Sequence, residues 1–554
     1  MNAPTHGGGA TAAEQRALAP FAHPLFLAIW LANVASSLGG QVQQVGTAWL
    51  MTALAPSPQM IALVSSAITA PIFLFSLIAG AVADVVDRRK VLLVAQCFMF
   101  VVSGGLSLLS YAGVVNPPLL LLATFLLFTG FALNAPAWQA LVGELVPRPQ
   151  LSAAIALNTL GLNLARTVGP AIGGLVVGLS GPEAAFAVNA VSYVALIAVL
   201  LGWRRPALRA ATPPEPVFAA LGSGLRFIVY AQGVRPILLR GFAAGIGVSA
   251  MTALTPAIVN NLLHAGPLAY GAILTCSGVG AVAGAAISHP LRMRLSYEGV
   301  SRLAIAVHAA GILLAAISRS PPLTGFATFL TGGGMVLALS TFSVAVQSNV
   351  PAWVAGRAIS IYQTAMFGGM TLGSIVWGQA AGLTGLSGAL LIASAVMALT
   401  VLLGLRWPIR AADPDHLAPV GMMAARGNVA DVREVDAPLT VAIEYRIPRA
   451  SVPAFLQLMQ VRRRIRLRDG ARRWSLLQDA DDPVRWQEQF ASRSSGDYLR
   501  HRDRRTAEDH ANAERIRELD VSPDRPNIRF LFERRPGPLQ PVASATWPGP
   551  VDAG

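Results

Sequence analysis

The sequence predicts an all-α membrane protein of 12 transmembrane helices in two parallel six-helix repeats, followed by a C-terminal α+β cytoplasmic domain. Three observations predict it: apolar stretches of spanning length recur, the two halves align at a fixed offset, and charge is concentrated after the last stretch. Of 554 residues, 54% are apolar and 13% charged, against roughly 25% charged in an ordinary soluble domain. A net charge of +14 would by itself suggest a nucleic-acid partner, and its distribution argues against one. Residues 20–410 hold 18 Lys+Arg and 6 Asp+Glu, while residues 431–537 hold 22 Arg and 18 Asp+Glu. The excess therefore belongs to the apolar region. The expected organisation is a disordered N-terminal tail (1–20), an N-terminal six-helix half (21–203), a cytoplasmic linker (204–235), a C-terminal six-helix half (236–410), a second linker (411–436), the cytoplasmic domain (437–537) and a disordered tail (538–554).

A helix needs about 20 largely apolar residues to cross, because backbone groups in lipid must be satisfied within the segment. The stretches fall at 23–53, 59–86, 91–112, 117–141, 151–179, 183–203, 236–264, 267–290, 300–318, 321–346, 352–383 and 386–407. Lys and Arg are retained on the cytoplasmic side, and here they follow the even-numbered spans: Arg88, Arg89 and Lys90, then Arg148, then Arg204 and Arg205, then Arg292 and Arg294. Only Arg319 lies across the odd-numbered connections. Both termini are thus expected in the cytoplasm of a multi-pass inner-membrane protein. Residues 1–20 lack the basic start and short apolar stretch of a secretory signal, so the first span is expected to remain as an anchor. Cys97 and Cys276 are expected to be buried packing residues, forming neither a disulfide nor a metal cluster.

Sliding the chain by 204 residues brings Gly80 onto Gly284, Arg88 onto Arg292, Val146-Pro147 onto Val350-Pro351, Gly181 onto Gly385 and Trp203 onto Trp407. The offset contains an even number of spans, so the repeats are parallel, an architecture that transporters build around a central site.

Span 2 ends in Gly80-Ala81-Val82-Ala83-Asp84-Val85-Val86-Asp87-Arg88-Arg89-Lys90. This resembles the cytoplasmic loop signature of the major facilitator superfamily, departing from it at Val85 and Asp87. The resemblance implies the major facilitator fold and a conformational latch of Gly80, Asp84, Arg88 and Arg89, with Asp84 pairing Arg88 or Arg89. The plainer reading is a topological anchor. Span 5 carries Gly169-Pro170-Ala171-Ile172-Gly173-Gly174, similar to the last part of a motif of superfamily exporters. Small residues permit close helix approach and proline bends the helix, so Gly169, Pro170, Gly173 and Gly174 are expected at a hinge or a tight interhelical seam.

Arg166 lies well inside span 5, where a charge needs water or a partner. It is expected either to face a cavity and meet an anionic substrate, or to pair structurally with Glu144 or backbone carbonyls. The only acids of residues 20–410 are Asp84, Asp87, Glu144, Glu183, Glu215 and Glu298, all near span ends or in connections. Proton coupling is implied by family and carried by no obvious carboxylate; His308, with Asp84 or Glu144, is the candidate titrating group, against a structural histidine. Gln347-Ser348-Asn349-Val350-Pro351 followed by Gly356-Arg357, with Leu145-Val146-Pro147-Arg148, resembles the enterobactin-exporter branch of the superfamily, the transmembrane secretion effectors. The resemblance covers about residues 20–410 and implies export of a siderophore or a lipophilic drug. Asn33, Gln44, Asn134, Asn158, Asn163, Gln347, Tyr362 and Gln363 are expected to line the substrate cavity with Arg166, or else to bond neighbouring helices.

After residue 436, strand-period alternation returns in Leu439–Arg446, and the pattern continues as helix, two strands, helix and strand. That order predicts a ferredoxin-like module. Its pattern resembles the dimeric small-barrel family of antibiotic-biosynthesis monooxygenases, which implies dimerisation and a sensing or regulatory role. An enzyme alternative would use His501, His510, Trp474 and Trp486 in cofactor-free oxidation or at a haem. The basic run Arg462–Arg468 is expected to touch anionic lipid or to be a solvated helix face. No cofactor is expected for the transporter, whose partners are a small molecule and the bilayer; an importer, or a tail that modifies its cargo, is the alternative.

Overall fold

The computed structural model describes residues 17–55, 57–203, 226, 233–409, 438–494, 497–498, 506–522 and 528–532, with backbone alone at 81, 83–85 and 352–353. The expected tails at 1–16 and 538–554, most of the linker 204–235 and the linker 411–436 lie outside them. The chain divides into two compact units, residues 1–414 and 415–554.

Among the described residues of the first unit, ten helices are long and apolar enough to cross a membrane. We number them α1 (Pro24–Leu54), α2 (Pro58–Val85), α3 (Arg88–Tyr111), α4 (Pro117–Leu145), α5 (Leu151–Gly202), α6 (Val234–Ala257), α7 (Pro267–Arg294), α8 (Tyr297–Ile317), α9 (Pro321–Gln347) and α10 (Ala352–Arg406). Their starts follow local chemistry. Proline stands in the first turn of α2, α4, α7 and α9, where its missing N–H is no loss. Asn116 caps α4 by accepting from Leu119 N at 3.0 Å, and Asp87 caps α3 by accepting from Arg89 N at 2.9 Å.

Two helices are double length. α5 has 52 residues and α10 has 55, each more than twice what the hydrocarbon core needs. Each is two helical segments meeting at a glycine with positive φ, Gly181 (φ 82°, ψ 168°) and Gly385 (φ 76°, ψ 166°). This region is open only to glycine, and the two breaks recur at the 204-residue offset, as do the prolines at 117 and 321 and the tryptophans that end the two helices.

The expectation for the cysteines is corrected: Cys97 is exposed and Cys276 half-buried. Cys97 shares the outer face of α3 with exposed Val94 and Val101. An apolar run in a membrane protein does not imply burial, because lipid accepts the same side chains as a core.

In the second unit, β1 (Leu439–Arg446), α11 (Val452–Asp469), β2 (Trp474–Gln478), β3 (Arg485–Ser492), α12 (Ala507–Leu519) and β4 (Ile528–Phe532) follow one another. The strands form one antiparallel sheet in the order β2-β3-β1-β4. Leu439, Val441, Ile443 and Tyr445 alternate onto the face that packs with Phe455 and Met459 of α11 and Ile516 of α12.

Replacing Gly385 by Ala is expected to destabilise the protein by about 1–3 kcal/mol, purely through backbone conformation, since nothing crowds a Cβ there. Gly356→Ala, in the same helix and equally uncrowded, should stabilise by about 0.5–1 kcal/mol. Thermal unfolding in detergent reads both.

Candidate functional site

The two halves meet along two seams. In the first, α2 lies against α10: Thr69 Oγ1 is 2.8 Å from Thr371 Oγ1, Ser76 Oγ is 2.8 Å from Thr364 Oγ1, and Ser66 Oγ donates to Thr371 O at 3.2 Å. In the second, α5 lies against α7, backbone close to backbone at their glycines. A Cβ on Gly174 would stand 2.7 Å from Pro267 O, one on Gly271 would collide with Pro170 O, and one on Gly278 would stand 2.9 Å from Arg166 O. Gly169 and Gly173 serve another face of α5, where a Cβ would meet Gln41 and Val45 of α1. The four expected hinge positions thus lie in tight seams, and the break in α5 lies farther on, at Gly181.

Arg166 sits where the α5–α7 seam ends. Ser152, Ile155, Thr159 and Arg166 fall on one stripe of α5, and all four are exposed. Pro170, Gly173 and Val177 continue that stripe and are buried. Val177 packs with Val42, Val45, Tyr270 and Ile273, drawn from both halves, and Trp49 stacks on Tyr270 with centroids 6.2 Å apart. Beyond Arg166 this stripe of α5 is therefore buried against apolar residues of both halves, and before it the stripe is exposed at Ser152, Ile155 and Thr159. Arg166 itself is exposed, at the point where the buried part of the stripe ends. Asn163, one turn away, is half-buried beside it.

The other expected substrate residues are dispersed. Asn134 is buried and accepts from Gln96 Nε2 at 3.0 Å; Asn158 accepts from Trp138 Nε1 at 3.0 Å. Asn33 is buried and Gln44 half-buried on α1, while Gln363 and Gln347 are exposed on the second half. Tyr362 is buried against Phe342, its ring filling the space a side chain at Gly241 would need. The hydrogen-bonded asparagines and Tyr362 join helices within their own half.

At the expected latch, Arg88 pairs with Glu144 of α4 at 2.5 Å and donates to Ala140 O at 3.3 Å. Arg89 donates to Leu200 O at 2.7 Å and Leu201 O at 2.9 Å, holding the end of α5. A Cβ on Gly80 would meet only Ser360 Oγ, at 3.9 Å. The Asp84 side chain lies outside the described residues. His308 is buried between α8 and α9, with Nδ1 2.9 Å from Thr331 O, and Nε2 has no hydrogen-bond partner among the described residues.

Sequence reasoning missed Arg240. It is buried six residues into α6, pairs with Glu298, and donates to Ser301 Oγ at 3.0 Å. Glu298 also accepts from Arg302 Nε at 2.8 Å and Ile409 N at 3.0 Å. This cluster ties α6, α8 and the chain beyond α10 together. Its signal was present: a second arginine inside a predicted span.

In the tail, the candidate catalytic residues do not converge. Trp486 is buried against Phe455 at 5.6 Å between centroids, Trp474 donates to Glu488 at 3.1 Å, and His510 stands 3.1 Å from Glu514 on the partly open face of α12. His501 lies outside the described residues. The basic run is not one solvated face: Arg466 binds buried Glu488 at 3.0 Å, Arg462 approaches it at 3.6 Å, and Arg468 reaches Asp509 at 2.6 Å, leaving Arg463 and Arg464 exposed. Burial alone would raise the Glu488 carboxyl; the charge of Arg466, then that of Arg462, with hydrogen bonds from Arg466 and Trp474, outweighs it and holds the group at about 2. Burial lifts Asp469 to about 6 against the pull of Arg468.

Apolar helices of spanning length, in two halves related by a sequence repeat and meeting at two seams, define a multi-pass membrane protein with the two-half architecture of transporters. The comparisons narrow the class. Residues 15–537 match the family described as "Transmembrane secretion effector", and the chain belongs to it. Among curated relatives, the multidrug efflux pump Tap of Mycobacterium tuberculosis is 24% identical over 407 residues, covering 70% of this chain and 93% of that protein. The enterobactin exporter EntS of Escherichia coli O1:K1 / APEC is 27% identical over 279 residues, 49% of this chain and 65% of EntS. The staphyloferrin A transporter of Staphylococcus aureus is 27% identical over 166 residues, 30% of this chain and 41% of that one. Among solved structures, the nucleoside transporter NupG superimposes with TM-score 0.56 at 16% identity, over 69% of this chain and 100% of that chain. A POT family transporter in complex with 5-aminolevulinic acid gives 0.55 at 13%, over 69% and 95%. These identities carry the fold alone.

Glu488→Gln would leave two buried arginines unpaired. It is expected to loosen the tail by about 3–5 kcal/mol, read as faster amide exchange over β3 and α11 with α1–α10 unchanged. A depressed pKa means the contribution is complete above the unfolded value, roughly pH 4–5, and is lost as pH falls toward about 2. At acidic pH the native tail should therefore approach the variant.

Proposed function

We propose that this protein is a secondary transporter that exports a small molecule, a siderophore or a lipophilic drug-like compound, across the cell inner membrane by alternating access. The observation that carries the reading is the α5 stripe, exposed at Ser152, Ile155, Thr159 and Arg166 and buried beyond it against residues of both halves, which we read as a passage closed at one end. An arginine at the closed end of such a passage favours an anionic group on the cargo, because a charge at that depth is stabilised by an opposite one. Tap is a multidrug efflux pump and EntS an enterobactin exporter, which supports export, and together with the staphyloferrin A transporter they support both cargo classes.

In this reading α5 and α10 each cross twice, turning at Gly181 and Gly385, which gives twelve spans and places both termini in the cytoplasm by the arginine distribution. Arg88, Arg89 and Glu144 with Asp84 form the latch, and Asn163, Gln44, Asn33 and Gln363 are the polar residues nearest to serving the cargo. The tail has the element order and sheet order of a ferredoxin-like domain and acts in regulation or dimerisation. The packing of Trp474 and Trp486 into its core weighs against a catalytic tail.

Cells lacking the protein should accumulate more enterobactin, staphyloferrin A or ethidium than cells containing it. Arg166→Ala should cut export of the anionic siderophores by roughly 10–100-fold, the size of one charge-assisted contact, and spare ethidium. Equal accumulation of every compound in all strains would sink the exporter reading. A protonophore should abolish export; export that persists would remove proton coupling.

A further inference from the structure

The buried acids of the tail are not all supported alike. Glu488 has two arginines beside it, whereas Asp469 and Asp509 share Arg468. That arginine donates from Nε to Asp469 Oδ1 at 2.9 Å and from Nη2 to Asp509 Oδ2 at 2.6 Å. The two N–H groups lie on one edge of the guanidinium, the edge that a single carboxylate ordinarily takes with both its oxygens. Two carboxyl groups from different helices are therefore held side by side, and both are buried, Asp469 at 7% exposure and Asp509 at 2%. One atom is left unprovided for: Asp509 Oδ1 is buried and has no hydrogen-bond partner among the described residues.

The backbone around the two acids tells them apart. Asp509 is the third residue of α12, where it accepts from Thr506 N at 2.9 Å and completes a capping box; a helix N-terminus favours a negative charge. Asp469 is the last residue of α11, followed by Gly470 in the left-handed conformation, and a helix C-terminus disfavours such a charge. Burial makes a second negative charge on one shared cation unfavourable. Asp509 is thus the better seat for the charge and Asp469 for a proton, and a hydroxyl on Asp469 supplies the donor that Asp509 Oδ1 lacks.

We infer that Asp469 and Asp509 form a proton-binding site that clasps the end of α11 to the start of α12, closed when the pair holds one proton and loosened when both acids are ionised. Burial lifts the Asp469 carboxyl, Arg468 pulls it down, the charge of Asp509 lifts it and Arg466, itself bound to Glu488 of β3, pulls it down, with the balance at about 6. His510, beside Asp509 in sequence, is turned to Glu514, and Arg472 and Arg473, leading into β2, are exposed. Because the native value lies above the unfolded one of about 3.9, the stabilisation is complete below the unfolded value and is lost as pH rises through about 6. Acidification therefore stiffens the joint between the two helices, in the opposite sense to Glu488, whose support fails only toward about 2. The site lies wholly within the second compact unit and does not depend on the transport reading.

The test is amide exchange over α12 in the full chain with His501 and His510 replaced by asparagine, which leaves no imidazole between residues 437 and 537. After correction for the intrinsic rate at each pH, opening of α12 should be about tenfold rarer at pH 5 than at pH 7.5, the factor that a rise to about 6 gives over that interval. Asp469→Asn carries no charge and offers an amide N–H to Asp509 Oδ1. At pH 7.5 it should be at least as protected as the parent at pH 5, and it should change less than twofold between the two. Asp469→Ala also loses the pH dependence but supplies no donor, and should open roughly fivefold more often than Asp469→Asn, the size of one hydrogen bond. If both acids are simply ionised partners of Arg468, exchange in the parent will be flat between pH 5 and 7.5 and Asp469→Asn will be less protected than the parent at pH 7.5; either result would overturn the inference, as would a pH dependence that survives in Asp469→Asn. Should Asp469→Asn fail to fold, the parent profile decides by itself.

Discussion

Everything in the membrane unit depends on how closely α5 approaches α7. Backbone meets backbone at Gly174 and Gly271, and no side chain larger than hydrogen fits. Lipid supplies no hydrophobic drive for two helices to associate, so close van der Waals contact must supply it. The contact brings the halves together, lets Tyr270 and Val177 pack in one cluster, and leaves Arg166 at the boundary between the buried and exposed parts of one stripe of α5.

Charge is distributed by a second constraint. Charged side chains near the membrane unit's arginine-bearing end fasten one helix to the next. Arg88 with Glu144 joins α3 to α4, Arg89 holds the end of α5, and Arg240 with Glu298 holds the chain after α10. The tail solves the same problem inside water. Glu488 is fully buried and receives Arg466, Trp474 and Tyr445, so that its charge is met by donors from α11 and two strands. Removing any one partner strands the others, which makes these clusters specify geometry more than they add stability.

The spans, the repeat and the tail's order of elements were legible because they rest on local patterns: apolar length, the turn chemistry of Pro117 and Pro321, and strand alternation in Leu439–Arg446. Arg166 stood out because nothing local explains a charge at that depth. What was not legible is pairwise. Arg88 bonds Glu144, 56 residues away on another helix, a pairing that sequence spacing does not reveal. Tyr362 reads as a cavity residue by composition, and only the neighbouring Gly241 reveals that its ring fills a packing gap. Arg240 lies only six residues into α6, and pattern alone does not show which side of a membrane boundary a guanidinium takes. The basic run of α11 misled for a related reason: helical spacing puts Arg462 and Arg466 on one face, and the acid that turns this face inward lies on β3.

The Arg240–Glu298 pair also bears on how the protein is made. Arg240 leaves the ribosome 58 residues before its acid, a delay of roughly 3–12 s at about 5–20 residues per second. During that interval α6 carries an unneutralised guanidinium, which on insertion scales amounts to about 2.5–3.5 kcal/mol if it is drawn to mid-membrane. Its position near the start of α6 lets headgroups and water hold it until α8 arrives. The arginine thus depends on an acid made after it, and the chain at Ile409, which the same acid holds, is the last of the three to be synthesised.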